Sequence, residues 1–421
     1  MSILIKNATI IYPGHNLHKS KRDLLIKNGV IEKIAARITS KTSKVLESSN
    51  LHLSPGWLDI GTYSGEPGFE HRESFETLSR TAASGGYTAL ATFPNTNPIT
   101  ENKSGIQYIL HTTDSHLIKY YPIGALSKGC AGEEITEMID MHKHGAVAFS
   151  DGLNSLDSSG LMMRALDYVK SVDSLVIHHP QDNTLANGNL VHEGAVSTQL
   201  GMKGNPSLSE ILILDRDIEL NKYTNSQLLV HNISTKESVS RLKGMSKSGI
   251  SSSVSYLNLC KTAAAVSTFD SNMKTVPPLR SEDDRQALVS GINKSIIQVI
   301  SSNHKPLEEE AKKKEYSYAK PGAIGLQTCY SGLMTDASEI STEQLVNCLA
   351  LNPRTILNIP HPLLKAGAEA ELCLFDPSLK WTLSDKTNTS KSKNSPYWNQ
   401  ELTGMVLGVI NGKKQHWNNY K

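Results

Sequence analysis

From residue 54 onward the chain alternates short apolar runs with longer stretches that have the amphipathic spacing of helices. YTALATF precedes NKSGIQYILHTT, LIKYYPIGAL precedes ITEMIDMHKH, and GAVAFS precedes SGLMMRALDYVKS. This alternation predicts βα units and a parallel sheet. About eight such units fit before residue 364, which favours a closed barrel over an open sheet. We therefore predict an α/β fold with a (β/α)8 TIM-type barrel over residues 54–364.

The two ends of the chain have a different pattern. ILIKNATII alternates apolar and polar residues, and Lys27-Asn28-Gly29 separates two further alternating runs. Asn-Gly at such a place is a strong hairpin signal. Short strands return after Leu364, in AELCLFDP and GMVLGVINGKKQHW. We expect residues 1–53 and 365–421 to form one small β-sandwich built from both chain ends.

Charge and composition argue against several classes of protein. The 43 basic and 41 acidic residues give a net charge of +2, so electrostatics offer no case for nucleic acid or an anionic membrane as a partner. No apolar run approaches the roughly 20 residues that span a bilayer, and the alternating N-terminus is unlike a signal peptide. Five scattered cysteines without a C-x-x-C pair favour a reducing compartment, so we expect a cytoplasmic protein.

The segment SPGWLDIGTYSGEP, residues 54–67, opens the predicted barrel. With the motifs that follow it in order, it resembles the dihydroorotase family, long type, of the amidohydrolase superfamily. Those motifs are TAASGGYTALATFPNTNP, AVAFSDG, HHPQDNTL, LGMKGNPSLSEILILDRDIEL, NISTKESV, KTVPPLRSEDDRQAL, SSNHKP, PGAIGLQT and SKSKNSPY. The resemblance covers nearly the whole chain and implies an amidohydrolase barrel and a place in pyrimidine biosynthesis.

The resemblance also implies a reaction. The family closes or hydrolyses a cyclic amide, converting dihydroorotate and carbamoyl aspartate into one another. One or two zinc ions, held by imidazole and carboxylate ligands, lower the pKa of a bound water. An Asp at the end of the eighth strand acts as general base and acid, and an Arg and an Asn bind the substrate carboxylate.

The first barrel strand lacks the residues that this chemistry needs. In the family it ends in Asp-x-His-x-His, and both histidines bind metal. Here Asp59 is present, but Gly61 and Tyr63 stand at the histidine positions, and the arginine that follows is replaced by Gly65. Asn95, in the motif Pro-Asn-Thr, is kept and is expected in the substrate pocket.

The middle strands retain part of the expected ligand set. Asp151 matches the acidic ligand, although the family usually has two consecutive Asp and the second is Gly152 here. His179 matches the ligand of the fifth strand. Asn232 replaces the next histidine, and His231 stands one residue early, which on a strand means the opposite face unless a bulge intervenes.

The eighth strand carries the loss of greatest chemical consequence. Asn303 replaces the catalytic Asp, and a primary amide cannot take a proton from water. His304 matches a substrate-contacting position, and Pro321 and Gly322 match a segment whose backbone contacts the substrate ring. Of six primary positions in the family pattern, only the two held by Asp151 and His179 survive.

These losses lead to three hypotheses. The first is a catalytically inactive dihydroorotase-like protein that acts as a structural or regulatory partner, with aspartate transcarbamoylase as the candidate, because a catalytic zinc usually needs three protein ligands. It binds no cofactor, or zinc if any metal, and forms a homodimer. The second is an active cyclic amidohydrolase with one zinc on Asp151, His179 and His231. The third is a non-catalytic module that binds a pyrimidine-like small molecule through Asn95, His304 and backbone groups.

Overall fold

The computed structural model describes residues 2–40, 44–188 and 191–419. Residues 1 and 421, the outer limits of the expected composite domain, lie outside this range. The strands are β1 Ser2–Ile10, β2 Lys21–Lys27, β3 Val30–Ala35, β4 Lys44–Leu46, β5 His52–Pro55, β6 Trp57–Thr62, β7 Tyr87–Thr92, β8 Lys119–Gly124, β9 Ala148–Phe149, β10 Val176–His178, β11 Val191–His192, β12 Gly204–Asn205, β13 Leu228–Val230, β14 Ile250–Ser255, β15 Val299–Ser301, β16 Glu371–Thr382, β17 Glu401–Asn411 and β18 Lys414–Trp417.

Most of the helices lie between the strands of the central part of the chain. The α-helices are α1 Phe75–Ser84, α2 Lys103–Thr113, α3 Met138–Lys143, α4 Ser159–Lys170, α5 Asn183–Ala186, α6 Ala195–Gln199, α7 Leu208–Thr224, α8 Lys236–Leu242, α9 Tyr256–Cys260, α10 Glu282–Asn293, α11 Glu309–Lys312, α12 Cys329–Asp336, α13 Thr342–Val346 and α14 Asn352–Ile356. Asn347–Leu351 is a π-helical segment that joins α13 to α14. Within the described residues, no helix is both long and apolar enough to cross a bilayer.

Strands from both chain ends form one mixed sheet of eight strands. Its order is β18-β17-β16-β5-β1-β2-β3, and β4 pairs with β1. The predicted hairpin is confirmed, because Lys27 pairs with Val30 across a turn in which Asn28 and Gly29 both have positive φ. The two ends meet where β5 pairs antiparallel with β16.

The central part of the chain forms a barrel, as the sequence predicts. Eight strands follow in the order β6, β7, β8, β9, β10, β13, β14 and β15, and each pairs in parallel with the next. Alternate residues of these strands, among them Leu58, Ile60, Ala89 and Ala91, pack in one apolar cluster. That alternation is typical of a filled barrel interior.

The first and last barrel strands meet through Asp59. Its buried carboxylate accepts hydrogen bonds from the backbone N of Ser302 at 2.7 Å, from Ser302 Oγ at 2.7 Å and from Thr62 Oγ1 at 2.5 Å. The backbone N of Tyr63 also donates to the carbonyl of His304 at 3.0 Å. These bonds place the ends of β6 and β15 side by side at the mouth of the barrel.

Local capping explains where individual helices begin. The Ser281 hydroxyl accepts from the backbone N of Asp284, and the Asp284 carboxylate accepts from the backbone N of Ser281, each at 3.2 Å. This reciprocal pair satisfies two backbone donors at the start of α10. All five cysteines are buried and unpaired, in agreement with the absence of a disulfide framework in the sequence.

Candidate active site

Gly61, at the first histidine position of the family pattern, stands where a side chain has no room. Its φ is +92°, and an ideal Cβ there would lie 2.8 Å from Cε1 of His231 and 2.8 Å from ring atoms of Phe93. A Cβ essentially never comes within 3.0 Å of another heavy atom. The space that a metal-binding histidine would need is therefore taken by two other rings.

Tyr63, at the second histidine position, is held by its surroundings. Its hydroxyl accepts a hydrogen bond from the backbone N of Leu153 at 3.2 Å, and its ring lies edge-on to Phe93 with centroids 5.4 Å apart. Burial raises the pKa of Tyr63, so the phenol stays protonated at neutral pH. A protonated phenol is a poor ligand for zinc.

The backbone at Gly65 excludes the arginine that the family has there. Gly65 has φ +77°, and an ideal Cβ would lie 2.4 Å from the carbonyl oxygen of Glu73. Since that contact is with backbone, a side chain at this position requires the chain itself to move. The arginine that would bind a substrate carboxylate is therefore absent, and the backbone of Glu73 occupies the space that its side chain would need.

Asn95 and Gly152 face one another at the mouth. Asn95 Nδ2 donates to the carbonyl of Asp151 at 3.1 Å, while its Oδ1 is buried without a partner in the described part of the chain. An ideal Cβ on Gly152 would lie 2.1 Å from that Oδ1 and 3.0 Å from the hydroxyl of Tyr63. A side chain at position 152 would therefore point into the barrel mouth.

Asp151, predicted as the acidic ligand, has its carboxylate occupied elsewhere. Oδ1 accepts from the backbone N of Leu126 at 3.0 Å and of Ser127 at 2.9 Å, and Oδ2 accepts from Ser127 Oγ. Burial raises the pKa of Asp151, and the donors of Ser127 and Leu126 act in the opposite direction. These bonds fix the loop after β8. Metal ligation by Asp151 stays a prediction, and a metal ion would have to displace these hydrogen bonds.

His179 and His231 are the two imidazoles that the fold brings together. His179 Nδ1 donates to the carbonyl of His231 at 3.0 Å, and His231 Nδ1 lies 3.0 Å from Ser253 Oγ. Both Nε2 atoms are buried and have no partner among residues 2–40, 44–188 and 191–419. Burial lowers the pKa of His179 to about 4 and that of His231 to about 3, so both rings are neutral at pH 7.

His231 follows the alternation of its strand, because Leu229, two residues earlier, packs in the interior apolar cluster. Its ring reaches the interior beside Gly61 and Phe93, with the Phe93 centroid 5.2 Å away. Asn232, the aligned position, has φ +56°, and its Oδ1 accepts from Ser301 Oγ at 2.6 Å. The left-handed conformation of Asn232 ends the strand pattern, and its side chain is bonded to Ser301 of β15, two strands away in the barrel.

Asn303 and His304 both make bonds within the chain. Asn303 Nδ2 donates to the carbonyl of Val276 at 3.0 Å. His304 Nδ1 accepts from the backbone N of Gly325 at 3.1 Å, which places the ring proton on Nε2, 3.7 Å from an oxygen of buried Glu73. The sequence did not indicate Glu73, because more than two hundred residues separate it from His304.

The backbone at Gly322 is likewise in use. Its N donates to the carbonyl of Lys274 at 2.8 Å, and its carbonyl accepts from Lys312 Nζ at 3.0 Å and from Asn394 Nδ2 at 3.1 Å. Pro321 has no N–H to offer. The contact of a substrate ring with the backbone of Pro321 and Gly322 stays a prediction. The N–H and the carbonyl of Gly322 are already bonded within the chain.

The donor set does not fit a catalytic zinc. Across the part of the chain that the structure describes, no group of three His, Cys, Asp or Glu side chains is arranged to hold a metal ion. The mouth offers the two imidazoles of His179 and His231, whereas positions 232 and 303 carry amides that are bonded to the chain. A catalytic zinc usually takes three protein ligands and a water, so these residues fall short of its coordination.

Lys305 is a mouth residue that sequence reasoning missed. It directly follows His304, and its ammonium lies 5.1 Å from the centroid of the Tyr63 ring. Burial, with Arg72 and Lys320 as further causes, lowers the pKa of Lys305 to about 8. The signal was present in the motif Ser-Asn-His-Lys-Pro, where a long cationic side chain follows the end of the eighth barrel strand.

The overall fold is shared with solved structures of a hydantoinase and a dihydropyrimidinase. The structure matches L-hydantoinase (dihydropyrimidinase) from Arthrobacter aurescens with a TM-score of 0.86 at 21% identity, covering 100% of this chain and 96% of that one. It matches dihydropyrimidinase from Brevibacillus agri with a TM-score of 0.81 at 19% identity, with the same coverage.

Sequence comparison identifies the family. A model for dihydro-orotase-like proteins matches residues 51–238. The chain is 35% identical to a dihydroorotase of Caldanaerobacter subterraneus over 100% of its own length and 99% of the relative. It is 36% identical to one of Pelotomaculum thermopropionicum (98% and 97%) and 32% identical to one of Syntrophotalea carbinolica (97% and 97%). The chain belongs to the dihydroorotase family.

Proposed function

We propose that this chain is a non-catalytic member of the dihydroorotase family that serves pyrimidine biosynthesis as a structural or regulatory subunit. Asn303 carries the proposal. At the position of the general base it presents an amide whose Nδ2 donates to the Val276 carbonyl at 3.0 Å. An amide neither accepts a proton from water nor returns one to a leaving nitrogen, so general acid–base catalysis at this position is lost.

The surroundings of Gly61 support the same conclusion. A dinuclear centre needs ligands from the first strand, and a side chain at Gly61 would collide with His231 and Phe93. The change is therefore more than the loss of two ligands, because neighbouring rings have filled the space. A site repacked in this way is not restored by adding metal.

Aspartate transcarbamoylase is the proposed partner, and the chain itself is proposed to form a dimer. The apolar framework of the barrel and the sheet of both chain ends are retained over the full length of the curated relatives, as the coverage of 97% or more in three of them indicates. A protein that keeps its fold but lacks the catalytic residues is suited to a role that depends on its surface.

The test combines an activity assay with metal analysis and a search for the partner. We expect purified protein to contain no stoichiometric zinc, to turn over neither dihydroorotate nor carbamoyl aspartate with zinc added, and to co-elute with aspartate transcarbamoylase from the same organism. Turnover that disappears in Asn303→Ala would overturn the proposal. Failure to co-elute, with inactivity retained, would overturn the partner alone.

A second candidate function rests on the two unpaired imidazole nitrogens. His179 donates through Nδ1, so the lone pair of its Nε2 faces the interior without a partner in the described chain, and Nε2 of His231 is also unpaired. Two imidazoles alone fall short of a catalytic zinc, so an atypical amidohydrolase with a single zinc would also need Asp151 to exchange its bonds to Leu126 and Ser127 for the metal. Calorimetric titration with zinc decides it: binding that is lost in both His179→Ala and His231→Ala, together with turnover, would support this candidate.

A further inference from the structure

We propose that the barrel mouth contains an anion subsite in which the ammonium of Lys305 binds the carboxylate of a small organic acid. The inference deepens the proposed non-catalytic function, because it assigns the mouth a ligand without assigning it a reaction. It places the positive charge on the eighth strand instead of the first, where Gly65 leaves no room for an arginine.

The first observation is that the Lys305 ammonium lacks an anionic partner. Its Nζ lies 5.1 Å from the Tyr63 ring centroid, and it has no hydrogen bond or ion pair with any residue that the structure describes. Lys305 is partly exposed, so a ligand can reach it from solvent. An ammonium that lies beside an aromatic ring and has no ionic partner among the described residues retains most of its capacity to bind an anion.

Two buried lysines nearby, Lys274 and Lys312, show the contrast. Lys274 Nζ donates to the carbonyls of Tyr316 at 2.8 Å and Ser317 at 2.9 Å. Lys312 Nζ donates to the carbonyls of Ser271, Lys320 and Gly322 at 2.5, 3.0 and 3.0 Å. Each of these ammonium groups holds a loop in place, whereas Lys305 Nζ makes no such bond to the described residues.

The second observation is an excess of positive charge around Lys305. Arg72 and Lys320 are the charged groups that act on it, and both pair with Glu308. Arg72 contacts Glu308 at 2.5 Å and Lys320 contacts it at 3.7 Å. One carboxylate thus serves two other cations, and the local field favours an incoming anion at Lys305.

The surroundings favour a small acid over a polyanion. The ammonium lies beside the Tyr63 ring, whereas a nucleic-acid backbone needs a row of exposed cations. The chain as a whole has 43 basic and 41 acidic residues. The Tyr63 ring offers an apolar edge against which a small carbon skeleton can pack.

The test measures binding by isothermal titration calorimetry on the full-length protein. L-dihydroorotate is the carboxylate probe, dihydrouracil is the matched ring without the carboxylate, inorganic phosphate tests a general anion, and sodium chloride at equal ionic strength is the blank. We expect dihydroorotate to bind, dihydrouracil not to bind, and Lys305→Met to weaken dihydroorotate binding at least tenfold. Stronger binding of phosphate than of dihydroorotate would replace the organic acid with an inorganic anion and overturn the proposal.

Matched variants separate this charge from general effects. Lys143→Met removes one exposed positive charge at the opposite end of the barrel and is expected to leave binding unchanged. Because Lys305 makes no bond to the fold through its ammonium, Lys305→Met should melt at the wild-type temperature, and Lys305→Arg should recover part of the affinity. Equal affinity in Lys305→Met and wild type, or no binding by wild type at millimolar dihydroorotate, overturns the proposal.

The same samples keep the two proposals apart. Carbamoyl aspartate formed during the titration would overturn the non-catalytic function and would leave the role of Lys305 to be judged from the affinities. Binding without product, lost in Lys305→Met, supports both.

Discussion

The ring of His231 lies where a side chain on Gly61 would have to begin. An ideal Cβ on Gly61 is 2.8 Å from Cε1 of His231, and the Gly61 backbone has φ +92°. The ends of two strands on opposite sides of the barrel therefore fit one another. Position 61, at the end of β6, has no side chain, and the imidazole of His231 after β13, with Phe93, occupies that space. A side chain at position 61 would therefore disrupt the packing of the barrel interior.

Gly61→Ala is expected to lower the free energy of unfolding by about 3 kcal/mol, since backbone strain at positive φ adds to overpacking of the interior. Urea denaturation at pH 7.5 measures it. Gly367→Ala is the matched control, because Gly367 has φ +85° and nothing within 4 Å of an ideal Cβ. That variant should lose only about 1 kcal/mol, from backbone strain alone. Equal losses in the two variants would mean that the contact with His231 is without effect.

The buried histidines predict a pH dependence of stability. The folded protein holds the pKa of His179 at about 4 and that of His231 at about 3, against 6.5 in an unperturbed chain. The unfolded chain therefore takes up protons first as the pH falls. Stability is fully present above about pH 7 and declines below pH 6.5, by about 2 kcal/mol per histidine at pH 5.

His231→Gln isolates one of these contributions. Denaturation at pH 7.5 and at pH 5.0 gives a difference for wild type and for the variant, and groups that titrate equally in both cancel. The difference should be about 2 kcal/mol smaller in His231→Gln. If the two proteins lose the same free energy of unfolding between these pH values, His231 is not held neutral by burial.

Asp59 provides a test of barrel closure. Its two oxygens receive donors from Ser302 and Thr62, so the amide of Asp59→Asn would set one donor against another. We expect a loss of about 2–3 kcal/mol in urea denaturation. Ser302→Ala removes one of the opposing donors, and its combination with Asp59→Asn should therefore cost less than the sum of the two. Strict additivity would contradict the bonded closure.

The sequence contains much of this fold because the fold depends on local pattern. The alternation of apolar runs and amphipathic stretches predicts the barrel, and Asn28-Gly29 predicts a turn that needs positive φ at two successive residues. The losses at Gly61, Tyr63, Asn232 and Asn303 are likewise visible in the sequence, since a missing ligand is a matter of residue type.

The orientation of the polar side chains at the barrel mouth depends on backbone groups that are far away in the sequence. The carboxylate of Asp151 turns to the N–H groups of Leu126 and Ser127, more than twenty residues earlier in the chain. Lys305 Nζ lies 5.1 Å from the ring centroid of Tyr63, which is more than two hundred residues earlier in the chain. Such contacts are decided by packing and leave no periodic trace in the sequence.

A buried ion pair joins the barrel to the sheet of both chain ends. Arg354, 1% exposed in α14, donates to Glu371 at the start of β16, and Lys119 contacts the other oxygen of Glu371 at 2.9 Å. Burial acts to raise the pKa of Glu371, but Arg354 and Lys119 outweigh it, and the pKa is lowered. The carboxylate is therefore charged when the protein is folded.

Arg354→Met should destabilise the protein by about 3–5 kcal/mol, because it removes the buried partner of a charged carboxylate. Lys119→Met is the matched control: the Lys119 side chain is 45% exposed, and its loss should cost less than about 1 kcal/mol. Adding Glu371→Leu to Arg354→Met should recover part of the stability, since no carboxylate without its buried partner then remains, and Lys119, 45% exposed, is solvated. A loss in Arg354→Met no greater than in Lys119→Met would show that the pair does not hold the sheet to the barrel.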